Sequence, residues 1–132
     1  MLDTDTCIYL IRQKSERVLK KIKETIGDGI AISAITLAEL EFGVAKSGSP
    51  EKNAKALAQM LTPINILPFD AEASAEYGIL RNTLENSGYV IGPMDMLIAA
   101  HAKSEKLTVV TNNVKEFERV EKLRIENWVK DD

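Results

Sequence analysis

The sequence predicts an α/β protein: a three-layer α/β/α sandwich around a mainly parallel central sheet. Short apolar runs alternate along the chain with longer segments whose apolar residues recur at helical spacing. This alternation implies parallel strands joined by right-handed crossovers, with helices on both faces of the sheet. A length of 132 residues, with 45% apolar and 28% charged residues, fits one domain covering 1–132.

The first half of the chain divides at apolar runs and at residues that stop helices. The compact apolar run at 29–35 is typical of a strand buried on both faces. Gly27 is a suitable C-terminal stop for the helix before it. In order, the predicted elements are a strand stub at 1–2, a short helix at 8–11, a helix at 15–26, the strand at 29–35 and a helix at 36–45.

The second half of the chain carries clearer helix boundaries. Pro50 suits the first position of a helix that Pro63 ends. Asp70 is a suitable cap for a long helix that Gly88 closes. The remaining predicted elements are a strand at 64–67, a helix from 92 to 103, a strand at 107–110 and an edge strand at 124–128.

Four acidic residues stand where folding can bring them together: Asp3, Glu39, Asp95 and Glu116. Each lies beside an apolar run or at a helix start, and Asp3 and the 111–116 segment both follow predicted strands. In open parallel sheets the ligand crevice lies beyond the carboxyl ends of the strands. Carboxylates crowded there repel one another, and a divalent cation between them offsets that repulsion. The pattern therefore predicts metal-dependent chemistry.

Three of these acids also have local structural explanations, and for Glu39 the structural explanation is by itself the stronger one. Asp3 suits the capping of the following helix as well as it suits cation binding. Glu39 ends the segment 36–39, which matches a capping box, whereas Glu41 lacks that relation and is expected to face solvent. Glu116 stands in a polar turn and could by itself be a solvated loop acid.

Asp95 has the strongest independent signal for function. A negative charge in the first helical turn gains roughly 0.3–1 kcal/mol from the helix macrodipole. The surrounding segment 91–100 carries no other charge, however, and Ala99 and Ala102 share the narrow helix face of Asp95. Small residues below a carboxylate let that face approach the sheet closely, which favours a functional role.

The single cysteine, the single histidine and the net charge exclude several classes of protein. Cys7 alone excludes an intramolecular disulfide and a multi-cysteine zinc site, and its apolar neighbours favour an inert core thiol. His101 alone excludes the two-histidine arrangement of metal-free ribonucleases, and its apolar helix face indicates a packed side chain making one hydrogen bond. The net charge of −3 argues against an indiscriminate nucleic-acid binder. Without a basic leader or a membrane-length apolar run, the chain is expected to be cytoplasmic.

Four motifs occur in order along the chain, and a fifth segment closes it: LDT at 2–4, SAITLAELEFG at 33–43, IGPMDMLIAAHA at 91–102, TNNVKEF at 111–117 and LRIENW at 123–128. Together they resemble the PIN-domain toxins of VapBC toxin–antitoxin systems, from end to end. The resemblance implies a PIN-like nuclease domain with a Mg²⁺- or Mn²⁺-dependent endoribonuclease site. It carries the acidic-pocket role onto Asp3, Glu39, Asp95 and Glu116.

The resemblance also marks departures from the family pattern. Many relatives have an aspartate at the position of Asn113, so Glu116 is expected to supply the fourth carboxylate while Asn113 helps by hydrogen bonding and Thr111 orients the pocket. Asp5 stands where relatives usually carry asparagine, and its added charge would strengthen metal binding or alter its geometry. The first strand is short, which predicts a less firmly held Asp3.

For the mechanism, we expect Asp3 and Asp95 to bind the metal directly, with Glu39 and Glu116 holding metal-bound water or a second ion. In-line attack by activated water would leave a 5′-phosphate and a 3′-hydroxyl.

The resemblance further implies a structured RNA substrate, such as transfer RNA, and a VapB-type antitoxin whose C-terminal segment blocks the pocket. A homodimer is expected, with a higher toxin–antitoxin assembly possible. Candidate contacts to the RNA backbone, each of which is more readily explained as a solvated surface charge, are Arg12, Lys14, Lys46, Lys103 and Arg119.

Two other classes stay open as alternatives. The segment 3–5 resembles the nucleophile motif of haloacid-dehalogenase-like phosphatases, but Cys7 stands where that motif has threonine or valine. A receiver-like signalling module would need an aspartyl phosphate acceptor at the end of a central strand, and 67–70 instead resembles the entry to a helix.

Overall fold

A short parallel sheet forms the centre of the fold, and the first residues of the chain supply its middle strand. The computed structural model describes residues 1–12 and 16–129. Strand β1 (Ala31–Ser33) pairs in parallel with β2 (Asn65–Leu67), and β3 (Val109–Val110) pairs in parallel with β4 (Ile125–Glu126). Leu2 joins these pairs: its amide donates to the Ala31 carbonyl at 2.9 Å, and it bridges to Val110 in parallel. The order across the sheet is therefore β2, β1, residues 1–3, β3, β4.

In the part of the chain that the structure describes, seven α-helices connect and cover these strands. Ser33 caps α3, Pro50 begins α4 as predicted, and Pro93 begins α6. The helices are α1 (Thr4–Arg12), α2 (Glu16–Thr25), α3 (Ala34–Lys46), α4 (Pro50–Leu61), α5 (Ala71–Ser87), α6 (Pro93–Ser104) and α7 (Val114–Phe117).

Two apolar clusters, one on each face of the sheet, make three layers. Side chains of successive strand residues point to opposite faces. Met1 and Val109 accordingly join a cluster with α5 and α6, whereas Leu2 and Val110 join a cluster with α1 to α4. The predicted α/β/α sandwich with a parallel sheet is confirmed.

Several predicted boundaries were wrong by a few residues, for identifiable reasons. The strand expected at 29–35 ends at Ser33, because the Ser33 hydroxyl accepts a hydrogen bond from the Ile35 amide at 3.1 Å and starts α3 there. Thr36 is therefore inside the helix and is not its cap. The α2 helix gives way to a 3₁₀ turn (Ile26–Asp28), and the chain reverses at Gly29 (φ 94°) and not at Gly27.

Other local predictions are confirmed by the backbone. The Asp70 carboxylate accepts from the Ala73 amide at 2.9 Å and caps α5, which typically contributes about 1 kcal/mol. Gly88 closes the same helix with a left-handed φ of 77°, a conformation that costs other residues more than glycine. The expected start of α2 at Ser15 lies outside the described residues. Within the described ranges, every helix is too short or too polar to cross a membrane.

Candidate active site

The acids identified from the sequence gather at the carboxyl edge of the sheet. Asp3 follows the middle strand, Ser33 ends β1, and Thr111 follows β3. The loop after β3 leads into α7, and its Asn113 reaches Asp95 in the first turn of α6. The topology thus brings chain segments more than 90 positions apart to one edge, as expected for an open parallel sheet.

Asp3 is the most deeply buried of these acids, at 2% exposure. One carboxylate oxygen, Oδ1, accepts from the Thr6 amide at 2.9 Å, and the other, Oδ2, accepts a short hydrogen bond from the Thr111 hydroxyl. Burial raises the pKa of Asp3, and these two hydrogen bonds oppose the rise. The prediction of a loosely held Asp3 was wrong, because both oxygens are fixed although the strand before it is short.

Asp95 and Glu116 form the closest pair of acids in the pocket. Burial, followed by the hydrogen bond to Glu116 and its charge, raises the pKa of Asp95 from 3.8 to about 8. The same hydrogen bond is the main cause that lowers the pKa of Glu116. These opposite directions mean that the protonated form is favoured at the more buried Asp95 and the charged form at Glu116.

Asn113 and the chain before α6 hold this pair in place. The Asn113 side-chain amide donates to Glu116 Oε2 at 2.8 Å and, more weakly, to Asp95 Oδ2 at 3.4 Å. The Gly92 backbone amide also donates to Glu116. The polar turn expected to carry Glu116 is in fact the short helix α7, and Asn113 has the hydrogen-bonding position that the sequence suggested.

Glu39 reaches the pocket edge from α3, and its predicted capping box is wrong. Because Ser33 caps that helix, Glu39 lies too far along it to return to the cap. Its Oε1 instead accepts from the Thr4 hydroxyl at 2.6 Å, next to Asp3 in the sequence. Glu39 therefore has no capping role, and this hydrogen bond connects it to the segment that carries Asp3.

The pocket offers several carboxylate oxygens, and the positive charge of Arg119 is the last of the causes that lower the pKa of Glu116. Asp5 is exposed in the first turn of α1, and its charge together with that of Asp3 contributes to the raised pKa of Asp95. Over the ranges that the structure describes, no three acidic, histidine or cysteine side chains stand close enough to hold one ion among them. The donors present are a close pair with flanking carboxylates, and hard oxygens of this kind suit Mg²⁺ or Mn²⁺, which bind few protein groups and keep several waters.

Cys7 and His101 are both buried in the interior of the protein. Burial raises the pKa of the Cys7 thiol, which keeps it protonated in the cluster beside α1. His101 is fully buried, its Nδ1 lies 2.7 Å from Ser33 Oγ, and the Phe69 ring packs edge-on at 5.4 Å. Burial is the main cause that lowers its pKa. The predicted packed histidine is confirmed, and it ties α6 to the start of α3.

The residues predicted to contact the RNA backbone lie in separate parts of the structure. The Lys46 ammonium lies over the Phe42 ring at 5.0 Å, and Arg119 lies over the Tyr89 ring at 5.8 Å while donating to the Val90 carbonyl. Arg12 ends α1, and Lys103 belongs to a basic cavity at the opposite edge of the sheet. Lys14 lies outside the described residues.

Three site residues were missed by the sequence interpretation. The Thr4 hydroxyl positions Glu39, the Thr6 amide holds Asp3, and the Gly92 amide supports Glu116. The position of Thr4 beside Asp3 was the only signal in the sequence, and a backbone amide such as that of Gly92 leaves no signal in side-chain chemistry.

The layers, the parallel sheet and the acidic edge define the class of this protein as a PIN domain, and the PIN domain family model matches residues 1–123. The chain is 44% identical to ribonuclease VapC2 of Rickettsia felis over 131 residues, 98% of each chain. It is 41% identical to the tRNA(fMet)-specific endonuclease VapC of Salmonella typhimurium over 128 residues, 97% of this chain and 96% of that one. The chain belongs to the VapC group of the PIN-domain family.

A solved structure agrees with this assignment. The VapBC2 structure from Rickettsia felis, bound to a DNA fragment from its promoter, matches with a TM-score of 0.94 and 42% identity over 97% of each chain. Membership of the PIN-domain family excludes the phosphatase and receiver alternatives. The cap formed by Asp70 agrees, since that residue begins a helix and does not present a phosphate acceptor.

Proposed function

We propose that this chain, as a single nuclease domain over 1–132, is a Mg²⁺- or Mn²⁺-dependent endoribonuclease and the toxin of a type II toxin–antitoxin pair. Its relatives are named ribonucleases, and the Salmonella relative is named for tRNA(fMet). We therefore propose a structured RNA, with transfer RNA as the first candidate, as the substrate.

The gathering of four acids at the carboxyl edge of the sheet, where Asn113 donates to both Asp95 and Glu116, is the observation that carries this proposal. A pKa of about 8 for an aspartate arises here because burial and neighbouring acids oppose its charge. A divalent cation would replace the proton on Asp95 and offset the repulsion between the neighbouring carboxylates. Asp3 and Asp95 would hold the ion, while Glu39 and Glu116 complete the acidic pocket.

The chain's own residues orient this pocket before any substrate arrives. Thr111 and the Thr6 amide fix both oxygens of Asp3, Asn113 holds Glu116, and Thr4 holds Glu39. When bound, the metal ion supplies positive charge that polarises the scissile phosphate and favours ionisation of water, consistent with 5′-phosphate and 3′-hydroxyl products. The only histidine is buried against Ser33, so the chain has no pair of imidazoles to activate a 2′-hydroxyl.

The partner we propose is a VapB-type antitoxin whose C-terminal segment occupies the groove and blocks the pocket. The support is that two solved relatives, from Rickettsia felis and Salmonella typhimurium, are VapBC complexes. We further propose that the chain pairs with a second copy, and that the toxin and antitoxin form a larger assembly.

The test is cleavage of purified transfer RNA and total RNA with Mg²⁺, with Mn²⁺ and with EDTA, followed by mapping of the new 5′ ends. We expect metal-dependent cuts at defined positions that carry 5′-phosphates. Asp95→Asn should abolish them, and Glu41→Gln, which removes an exposed charge from the helix of Glu39, should not. Full activity in EDTA, or in the Asp95→Asn variant, would refute the proposal.

A further inference from the structure

A basic cavity lies at the edge of the sheet opposite the acidic pocket. It measures about 240 Å³ and opens where the chain enters β3 and β4, at the amino ends of those strands. Four of its six lining residues are cationic and none is acidic; they are Lys103, Lys106, Leu107, Lys122, Leu123 and Arg124. This local excess is notable because the chain as a whole carries a net charge of −3.

The cations of this cavity have no acidic partner at ion-pair distance within residues 1–12 and 16–129. Among the residues described, no carboxylate lies within 4 Å of their side-chain nitrogens, and both ion pairs found there are on other helices. Arg124 uses one nitrogen to donate to the Lys106 carbonyl at 2.7 Å, which joins the two walls of the cavity. Unpaired cations around a small concavity favour binding of an anion.

Two of these lysines occupy backbone positions that suit glycine better. Lys106 and Lys122 have φ values of 58° and 61°, and these are the only non-glycine residues with positive φ in the described chain. Lys106 follows the end of α6 in a left-handed turn, with its amide bonded to Lys103 and the next amide bonded to Ala102. Glycine would relieve the strain at either position.

The helix macrodipole does not account for both lysines. A cation after α6 gains from the C-terminal end of a twelve-residue helix, which explains Lys106 in part. Lys122 follows only the four-residue α7 and a turn, where that gain is small. Lys106 and Lys122 both line the cavity, and both contribute positive charge to it.

We propose that this cavity binds one backbone phosphate of the RNA at a distance from the cleavage site. This proposal rests on the proposed function, because the ligand class comes from it. The cavity is small for a whole nucleotide and suits a single phosphate group. A β-strand advances about 3.3 Å per residue, so the two-residue β3 and β4 place the two edges close enough for one structured RNA to contact both.

The test measures RNA affinity apart from cleavage, in the Asp95→Asn background. Lys106→Gly and Lys122→Gly, alone and together, are compared with Lys52→Gln plus Lys55→Gln, which removes two exposed charges from α4. Binding of labelled transfer RNA is followed by fluorescence anisotropy at several salt concentrations. Loss of one phosphate contact should weaken binding about fivefold at 0.1 M salt and reduce the salt slope by about 0.7.

The glycine substitutions should also raise the melting temperature, because they relieve backbone strain. Weaker RNA binding by a more stable protein separates a binding role from a structural one. Unchanged affinity for transfer RNA, or an equal loss of affinity in the α4 control, would overturn the phosphate site. Duplex DNA of the same length is measured alongside, and a loss of affinity confined to that DNA would also overturn the site. Cleavage by the unaltered chain is scored separately, so its absence refutes the proposed function and leaves the binding result to decide this site.

Discussion

At the scale of single residues, Asp95 shows how packing changes the chemistry of a carboxyl group. Its pKa rises to about 8 because the side chain is half-buried and faces Glu116, Asp3 and Asp5. The protonated form is therefore favoured in the folded, ion-free protein. The contribution of this group to folding is intact below its ordinary pKa of 3.8 and is lost as the pH rises to about 8.

We predict that Asp95→Asn stabilises the ion-free protein at high pH while abolishing cleavage. Asparagine lacks the charge that the fold opposes, and the lowered pKa of Glu116 offsets only part of that penalty. After allowance for solvent screening, the gain at pH 9 should be on the order of 1 kcal/mol and should vanish near pH 4. Urea unfolding in EDTA across this range measures it. A variant less stable than the unaltered protein at pH 9 would contradict the assigned proton.

At the scale of secondary-structure elements, the start of α3 shows where sequence patterns compete. Ser33 and Thr36 are both residue types that can cap a helix, and the segment 36–39 matches a capping box. The chain uses Ser33, whose hydroxyl accepts from the Ile35 amide and meets buried His101. Pairing of β1 with β2 extends to Ser33, so the strand ends and the helix begins at one residue.

We predict that removing one hydroxyl at each of these two positions has unequal effects on stability. Ser33→Ala should cost about 1–3 kcal/mol, because it removes the helix cap and the polar partner of a buried imidazole. Thr36→Val should cost less than about 1 kcal/mol, since the Thr36 hydroxyl has only a 3.4 Å contact with Thr4. Thermal unfolding of both variants checks this order. The reverse order would restore Thr36 as the cap.

At the scale of the whole molecule, the parallel sheet separates two regions of opposite charge. Acids collect at the carboxyl edge, and the basic cavity lies at the amino edge. The acidic edge is destabilising without a cation, because the carboxylates there oppose one another. Metal binding and folding should therefore be linked across the molecule.

We predict that Mg²⁺ raises the melting temperature of the unaltered protein. Binding to the folded state alone contributes about 2.7 kcal/mol at a concentration a hundred times Kd, which corresponds to a rise of roughly 10 °C for a chain of this size. Asp3→Asn and Asp95→Asn should lose most of this shift, and Glu41→Gln should keep it. Scanning calorimetry with and without EDTA provides the measurement, and an equal shift in all four proteins would exclude the acidic pocket as the metal site.

Much of the fold could be predicted because its signals are local. Helix starts at Pro50, Asp70 and Pro93, and the helix end at Gly88, follow from backbone geometry and capping chemistry that involve only near neighbours. The helical turn of α7 was missed because it is four residues long and carries no apolar period. The basic cavity was also missed, since Lys103 and Lys106 at the end of α6 are remote in sequence from Lys122 and Arg124.

The sequence by itself determined the α/β alternation, the order of the motifs and the set of acids from which a pocket could form. Residue type and spacing are local quantities, and they suffice for such conclusions. Only the tertiary structure decided that Asp95 lies beside Glu116, that Ser33 caps α3, that Thr4 holds Glu39 and that Lys106 and Lys122 share one cavity. These outcomes depend on burial and on distances between remote segments, which arise only when the sheet and its helices pack together.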